Sequence, residues 1–295
     1  MNQSADDARP GYARVRPVIR VSTCHVGVSG AIDARRRDRA GTRVGTLAGS
    51  VAVYVLINLY AIPLALATLA LFMHRSGWDM TVAHVFYDDM HHGFPWRDAL
   101  WLEVIGHHVL KFLPVGVCLA ALGTALGSYV FPRWRPWRAA AWALAAGLAL
   151  GPAIVTQLKS MTVAHCPWDL RDFGGYASFS ADYAGSWWAP SRAQAGRCLP
   201  SGHAGAGFCL LSLYFFGVAT GRPRWRWAGL AVGVVAGLFF GFIRVVQGAH
   251  FPSHVLWAAV VCWLAAALVY LPVLAGKTAR VDRNEPARRG SRHAA

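Results

Sequence analysis

Residues 255–274 read VLWAAVVCWLAAALVYLPVL, twenty positions without a charged side chain. At 1.5 Å of rise per residue such a helix spans about 30 Å, the thickness of bilayer hydrocarbon. Five more largely apolar stretches, of 17 to 28 residues, lie upstream, at 46–73, 105–131, 139–158, 204–220 and 228–246. The composition agrees: 55% of the chain is hydrophobic, 13 residues are Trp and 15% are charged, which is not how an ordinary soluble domain is built. The expected fold is all-α, a polytopic membrane bundle of about six transmembrane helices.

A formal charge of +15 would suggest nucleic acid in a soluble protein. Its distribution argues for topology instead. Nine Lys/Arg precede residue 46, three are Arg133, Arg135 and Arg138, three are Arg222, Arg224 and Arg226, and six follow Leu274. With the N-terminus inside, the cytoplasmic segments hold 21 of the 29 cations, the asymmetry expected of that side. No nucleic-acid partner is expected, and both termini are expected in the cytoplasm. Residues 1–45 hold no apolar run long enough for a signal peptide, and their Arg, Gly, Pro and Asp content buries too little surface to fold. They read as a disordered basic cytoplasmic tail, 46–275 as the membrane domain, and 276–295 as a second basic cytoplasmic tail.

On this topology ten of the 12 His lie at or beyond the outer face, and only His25 and His293 fall inside. Three outer segments carry ionisable groups at the ends of spans, where they are costly and usually mark a site. Lys159 ends the third span and leads into His165-Cys166-Pro167-Trp168-Asp169; Pro200-Ser201-Gly202-His203 opens the fourth; Arg244 ends the fifth, followed by His250 and His254. Ser201, Gly202 and the N–H groups of a helix start form an oxyanion cradle, although the same letters also serve a simple helix cap. Lys159 and Arg244 supply fixed cations for the equatorial oxygens of a phosphoryl group in transfer, although either alone could snorkel to head groups. A neutral His250 can attack phosphorus, His203 can protonate the leaving oxygen, and His254 can take the other ring N–H of His250 and fix its tautomer.

These residues resemble the three-part pattern of the type-2 phosphatidic acid phosphatase superfamily, which includes vanadium haloperoxidases and bacterial lipid phosphatases. The pattern is K-x6-RP, PSGH and SR-x5-H-x3-D. Here it reads Lys159, six residues, Cys166-Pro167; Pro200 to His203 complete; and Ile243-Arg244, five residues, His250, three residues, His254. Spacing is kept and three letters differ. Cys166 replaces an Arg, for which His165 or Arg197 can supply charge; Ile243 replaces a Ser; and His254 replaces the Asp that orients the nucleophile, for which Asp169 or Asp172 can substitute. The resemblance implies a metal-independent, cofactor-free phosphatase with a phosphohistidine intermediate and a site at the outer leaflet. It also implies a phospholipid or polyprenyl (di)phosphate as substrate.

Two readings of other classes use the same residues. A transporter of phosphorylated lipid would use the cationic pocket without hydrolysis, a reading the missing Asp favours. A metal or haem protein would use His91-His92 and His107-His108, although adjacent histidines on a helix point apart. Of the six Cys, Cys24 lies in the tail and Cys118, Cys209 and Cys262 lie within spans. Cys166 and Cys198 alone face outside, which in a bacterial inner membrane is the oxidising periplasm, so a disulfide between them is expected.

Overall fold

The computed structural model describes residues 51–104, 112–179 and 196–290. The predicted tail at 1–45, with Cys24 and His25, lies outside the described residues, as do His107, His108 and His293. The chain divides into the units Met1–Thr46 and Leu47–Ala295, and all the described residues belong to the second.

Among the described residues there are eight helices and no strand. They are α1 (Val51–Arg75), α2 (Trp78–Phe86), α3 (Leu100–Glu103), α4 (Phe112–Val130), α5 (Pro132–Met161), α6 (Gly202–Thr220), α7 (Pro223–Val246) and α8 (Pro252–Gly290). Six of them, α1 and α4 to α8, are long and apolar enough to cross a membrane, so the protein is a multi-pass helical bundle. Helices α5, α7 and α8 begin at Pro132, Pro223 and Pro252, several residues before the apolar runs do. Proline at the first helical position has its φ already set and lacks an N–H that would have no partner there. The predicted end of the last span at 274 also moves, because α8 continues as helix to Gly290 and takes up most of the predicted C-terminal tail. A helix already nucleated gains a hydrogen bond with each further residue, so a polar extension costs little.

The most apolar stretch of α6 is 72% buried, against 17% for α1 and 22% for α4, which puts α6 at the centre and the other two at the lipid boundary. Around it Phe215 and Tyr270 are fully buried and stack at 5.9 Å, with Trp263 set edge-on to Phe215 at 5.0 Å. The polar tips of the buried aromatics are satisfied by backbone. Tyr54 donates to Ala267 O at 2.8 Å, Tyr270 to Ala140 O at 3.1 Å and the Trp263 indole to Asn58 O at 3.0 Å.

Helices α6 and α7 approach to backbone contact. A Cβ on Gly237 would fall 2.1 Å from the Phe208 ring, and one on Gly207 would fall 2.6 Å from Ala236 O. Small residues at such crossings let dispersion act between helices where lipid supplies no hydrophobic drive.

Hydrogen bonds gather the end of α5 and the starts of α6 and α8 at one end of the bundle. Thr162 Oγ1 donates to Leu199 O at 2.7 Å, and Ser201 N donates to His254 O at 3.0 Å. Trp168 N donates to Gly248 O at 3.0 Å, which adds the turn between α7 and α8.

Candidate active site

The segment after α5 runs beside the one before α6, with Gly196 N donating to Val163 O at 3.1 Å and Cys198 N to Ala164 O at 2.9 Å. Cys166 and Cys198 are joined as a disulfide across this pairing, their Cα atoms 5.3 Å apart. Ser201 then caps α6, its side chain accepting from Ala204 N at 3.5 Å, and is fully buried.

At the end of α7, Arg244 donates to Gln247 Oε1 at 2.8 Å and its guanidinium lies 5.7 Å from the centre of the Trp168 ring. Arg97 lies over the same ring at 4.7 Å, and its carbonyl accepts from Gln247 Nε2 at 3.4 Å. The chain turns at Gly248 (φ +70°), where a Cβ would strike Phe94 at 2.4 Å, and Ala249 and His250 then donate to Arg244 O. This places His250 between the helices, 2% exposed. Burial holds its imidazolium form well below the ordinary imidazole range, and the charges of His254, Lys159, Arg244 and His203 push the same way. Four of the predicted residues therefore bear electrostatically on the fifth.

The surroundings of His250 differ from the expectation in one respect. Its Nδ1 lies 3.3 Å from Cys198 Sγ and not on His254. The two imidazoles share no hydrogen bond; their centroids are 5.8 Å apart at 70°. The Nδ1 of His254 is buried without a hydrogen-bond partner among the described residues, while its backbone carbonyl accepts from Ser201 N.

The two expected substitutes for the missing acid are engaged elsewhere. Asp169 Oδ2 accepts from Cys166 N at 3.3 Å and closes its own turn, and Asp172 is exposed. The acid next to His254 is Asp79 of α2. Wholly buried, it accepts from Ser253 N at 3.0 Å, Ser253 Oγ at 2.5 Å and His74 Nδ1 at 3.2 Å, and its charge acts on His254. Neither Asp79 nor Arg97 belongs to a motif, and each lies more than sixty positions before Lys159 in sequence. The one sequence signal for Asp79 is a carboxylate close to His74 in an apolar context.

Of the two replacements expected for the missing Arg, Arg197 is exposed with a left-handed backbone (φ 49°), and His165 is half-buried with its ring edge-on to Tyr176 at 5.6 Å. The ligand-type atoms of Cys166, Cys198 and His250 lie within 4.8 Å of one another. Joined, the sulfurs have no thiolate to give a metal. His91 is exposed and paired with Asp88 at 2.7 Å. A groove of about 590 Å³ between Trp137 and Trp225 touches none of these residues and is apolar.

The three motif parts thus converge on one buried imidazole with cations around it. Residues 140–275 match the family model of the PAP2 superfamily. Over this stretch the chain is similar to that superfamily. No curated protein and no solved structure matches it. The PAP2 match runs from α5 into α8 and takes in every motif residue, whereas His74 on α1, Asp79 on α2 and Arg97 in the loop before α3 lie before it. The protein thus has six helices able to cross a membrane and, over residues 140–275, the motif-bearing part of a phosphatase-type superfamily.

Proposed function

We propose that this protein hydrolyses a lipid phosphate or diphosphate through a phosphohistidine at His250, at the periplasmic face of a bacterial inner membrane. The observation that carries this reading is His250, buried at the helix ends, its charged form disfavoured by burial and by the charges of His254, Lys159, Arg244 and His203. Neutral His250 attacks phosphorus, the bond to the leaving oxygen breaks, and His203 gives that oxygen its proton. Lys159, Arg244 and the first N–H groups of α6 carry the charge on the equatorial oxygens. Water then attacks the phosphorus with His203 as base, releasing phosphate and restoring the imidazole.

A lipid substrate is supported by an apolar groove of about 300 Å³ whose walls include Trp101, Phe239, Phe242, Ile243 and Val246. Ile243 and Val246 flank Arg244 in the chain, so a head group at Arg244 would have hydrocarbon-lined space beside it. The periplasmic side is supported by the basic turns. Arg222 lies over the Trp137 ring at 5.2 Å, so two of the Arg-rich segments meet, and they do so at the helix ends remote from the site.

The test is inorganic phosphate release by the purified protein from phosphatidate and from a polyprenyl diphosphate, in chelator. The parent should turn over at least one of them, and His250→Ala should lose about 10²-fold or more. An active His250→Ala protein would remove the nucleophile, and a parent inactive on both lipids would favour the transporter reading.

A further inference from the structure

We propose that the Cys166–Cys198 disulfide is the positioning partner of His250, so that the redox state of this bond decides which ring nitrogen of His250 carries the proton. The inference rests on the proposed role of His250 and concerns how that role is controlled.

A neutral imidazole holds one N–H and one lone pair, and attack on phosphorus requires the lone pair at the nitrogen facing the substrate. His250 Nδ1 faces Cys198 Sγ at 3.3 Å. A disulfide sulfur has no hydrogen and can only accept, so the hydrogen in this contact belongs to Nδ1, and the lone pair is left on Nε2. Among the described residues His254 makes no hydrogen bond to His250, and Asp169 is held by Cys166 N. The family Asp would hold the same proton from position 254.

Reduction reverses the roles. A dithiol gives two electrons and two protons to the bond, becoming a disulfide itself while Cys166 and Cys198 become thiols. Cys198 S–H then has two acceptors in reach, Ala249 O at 3.0 Å and His250 Nδ1 at 3.3 Å; donation to Nδ1 favours the proton on Nε2 and withdraws the nucleophilic lone pair. Two departures from the family pattern are connected in this way. Cys166 replaces a phosphate-binding Arg and makes possible a sulfur contact that does the work of the Asp replaced by His254.

The test uses the full chain in detergent micelles. Cys166→Ala leaves Cys198 as a thiol beside Nδ1; kcat should fall about tenfold or more with KM within about twofold. The imidazole ¹⁵N signals of His250, assigned by their loss in His250→Ala, should change from the Nδ1–H to the Nε2–H pattern. Treating the parent with a dithiol should give the same loss, and reoxidation should restore activity, a cycle that does not depend on a variant folding. Should the buried bond resist the dithiol, Cys166→Ala decides alone. Parental kcat in Cys166→Ala overturns the proposal, and so does a lower kcat with the Nδ1–H pattern unchanged, which would make the bond merely structural. Failure of the proposed function is distinguishable, because the oxidised parent would then release no phosphate while the ¹⁵N signals would still report the tautomer.

Discussion

His250 and His254 are four residues apart in one motif, yet the fold gives their rings different neighbours. The first meets sulfur, the second the edge of Phe251, with the charge of Asp79 acting on it. For His250 the pH dependence follows from burial. Its neutral form persists below the ordinary imidazole value and is lost only as pH falls through the lowered one. The facing groups are Lys159 on α5, His203 on α6, Arg244 on α7 and His254 on α8, and none of them is a carboxylate. In a plot of kcat/KM against pH the acid limb should therefore lie below about 6.5; a limb at or above that value would contradict a desolvated nucleophile. Asp79 supports a second expectation. Asp79→Ala would remove the buried carboxylate that accepts from Ser253 N, Ser253 Oγ and His74 Nδ1, so thermal unfolding in detergent should show a loss of roughly 3 kcal/mol. Asp79→Asn should lose less, because one oxygen remains. The motif letters were legible because they are contiguous or regularly spaced. Asp79 and Arg97 were not, since their relation to the site exists only after α2 and the following loop fold back onto α7 and α8.

Helix boundaries show where apolar counting stops being informative. The runs at 139–158 and 228–246 locate spans, but Pro132 and Pro223 start the helices, and proline chemistry in turns rich in Arg and Trp is easily read as loop. The α6–α7 crossing was equally hidden. In the sequence the glycines of these two spans are only gaps in the apolar pattern, whereas the missing side chains are what brings the helices together. Substitutions separate the two roles of glycine. Gly207→Val should destabilise by about 1–3 kcal/mol or more, since its Cβ has only Ala236 O and the Gly237 backbone to displace. Gly123→Ala on α4 meets nothing within 4 Å and should stabilise by about 0.5–1 kcal/mol through helix propensity. Both are read from unfolding in micelles, and equal effects of the two would contradict the close crossing.

For the whole molecule, charge predicts orientation. Met90, 87% exposed in the loop after α2, belongs to the site end, and Arg224 to the opposite end. In intact cells an impermeant maleimide should label Met90→Cys directly and Arg224→Cys only after the membrane is opened. The reverse pattern would place the site in the cytoplasm and remove the oxidising environment that the Cys166–Cys198 bond calls for.

The anchoring of α8 by Asp79 bears on modularity. The family match begins at residue 140, and a fragment cut near that point would contain each motif in full. It would also present Ser253, at the first turn of the helix that follows His250, with no carboxylate to receive its two donors. Such a fragment would be complete as a signature and deficient as a fold. In this chain the unit that can be inherited or transplanted is therefore larger than the unit that can be recognised, and the difference is α1 and α2.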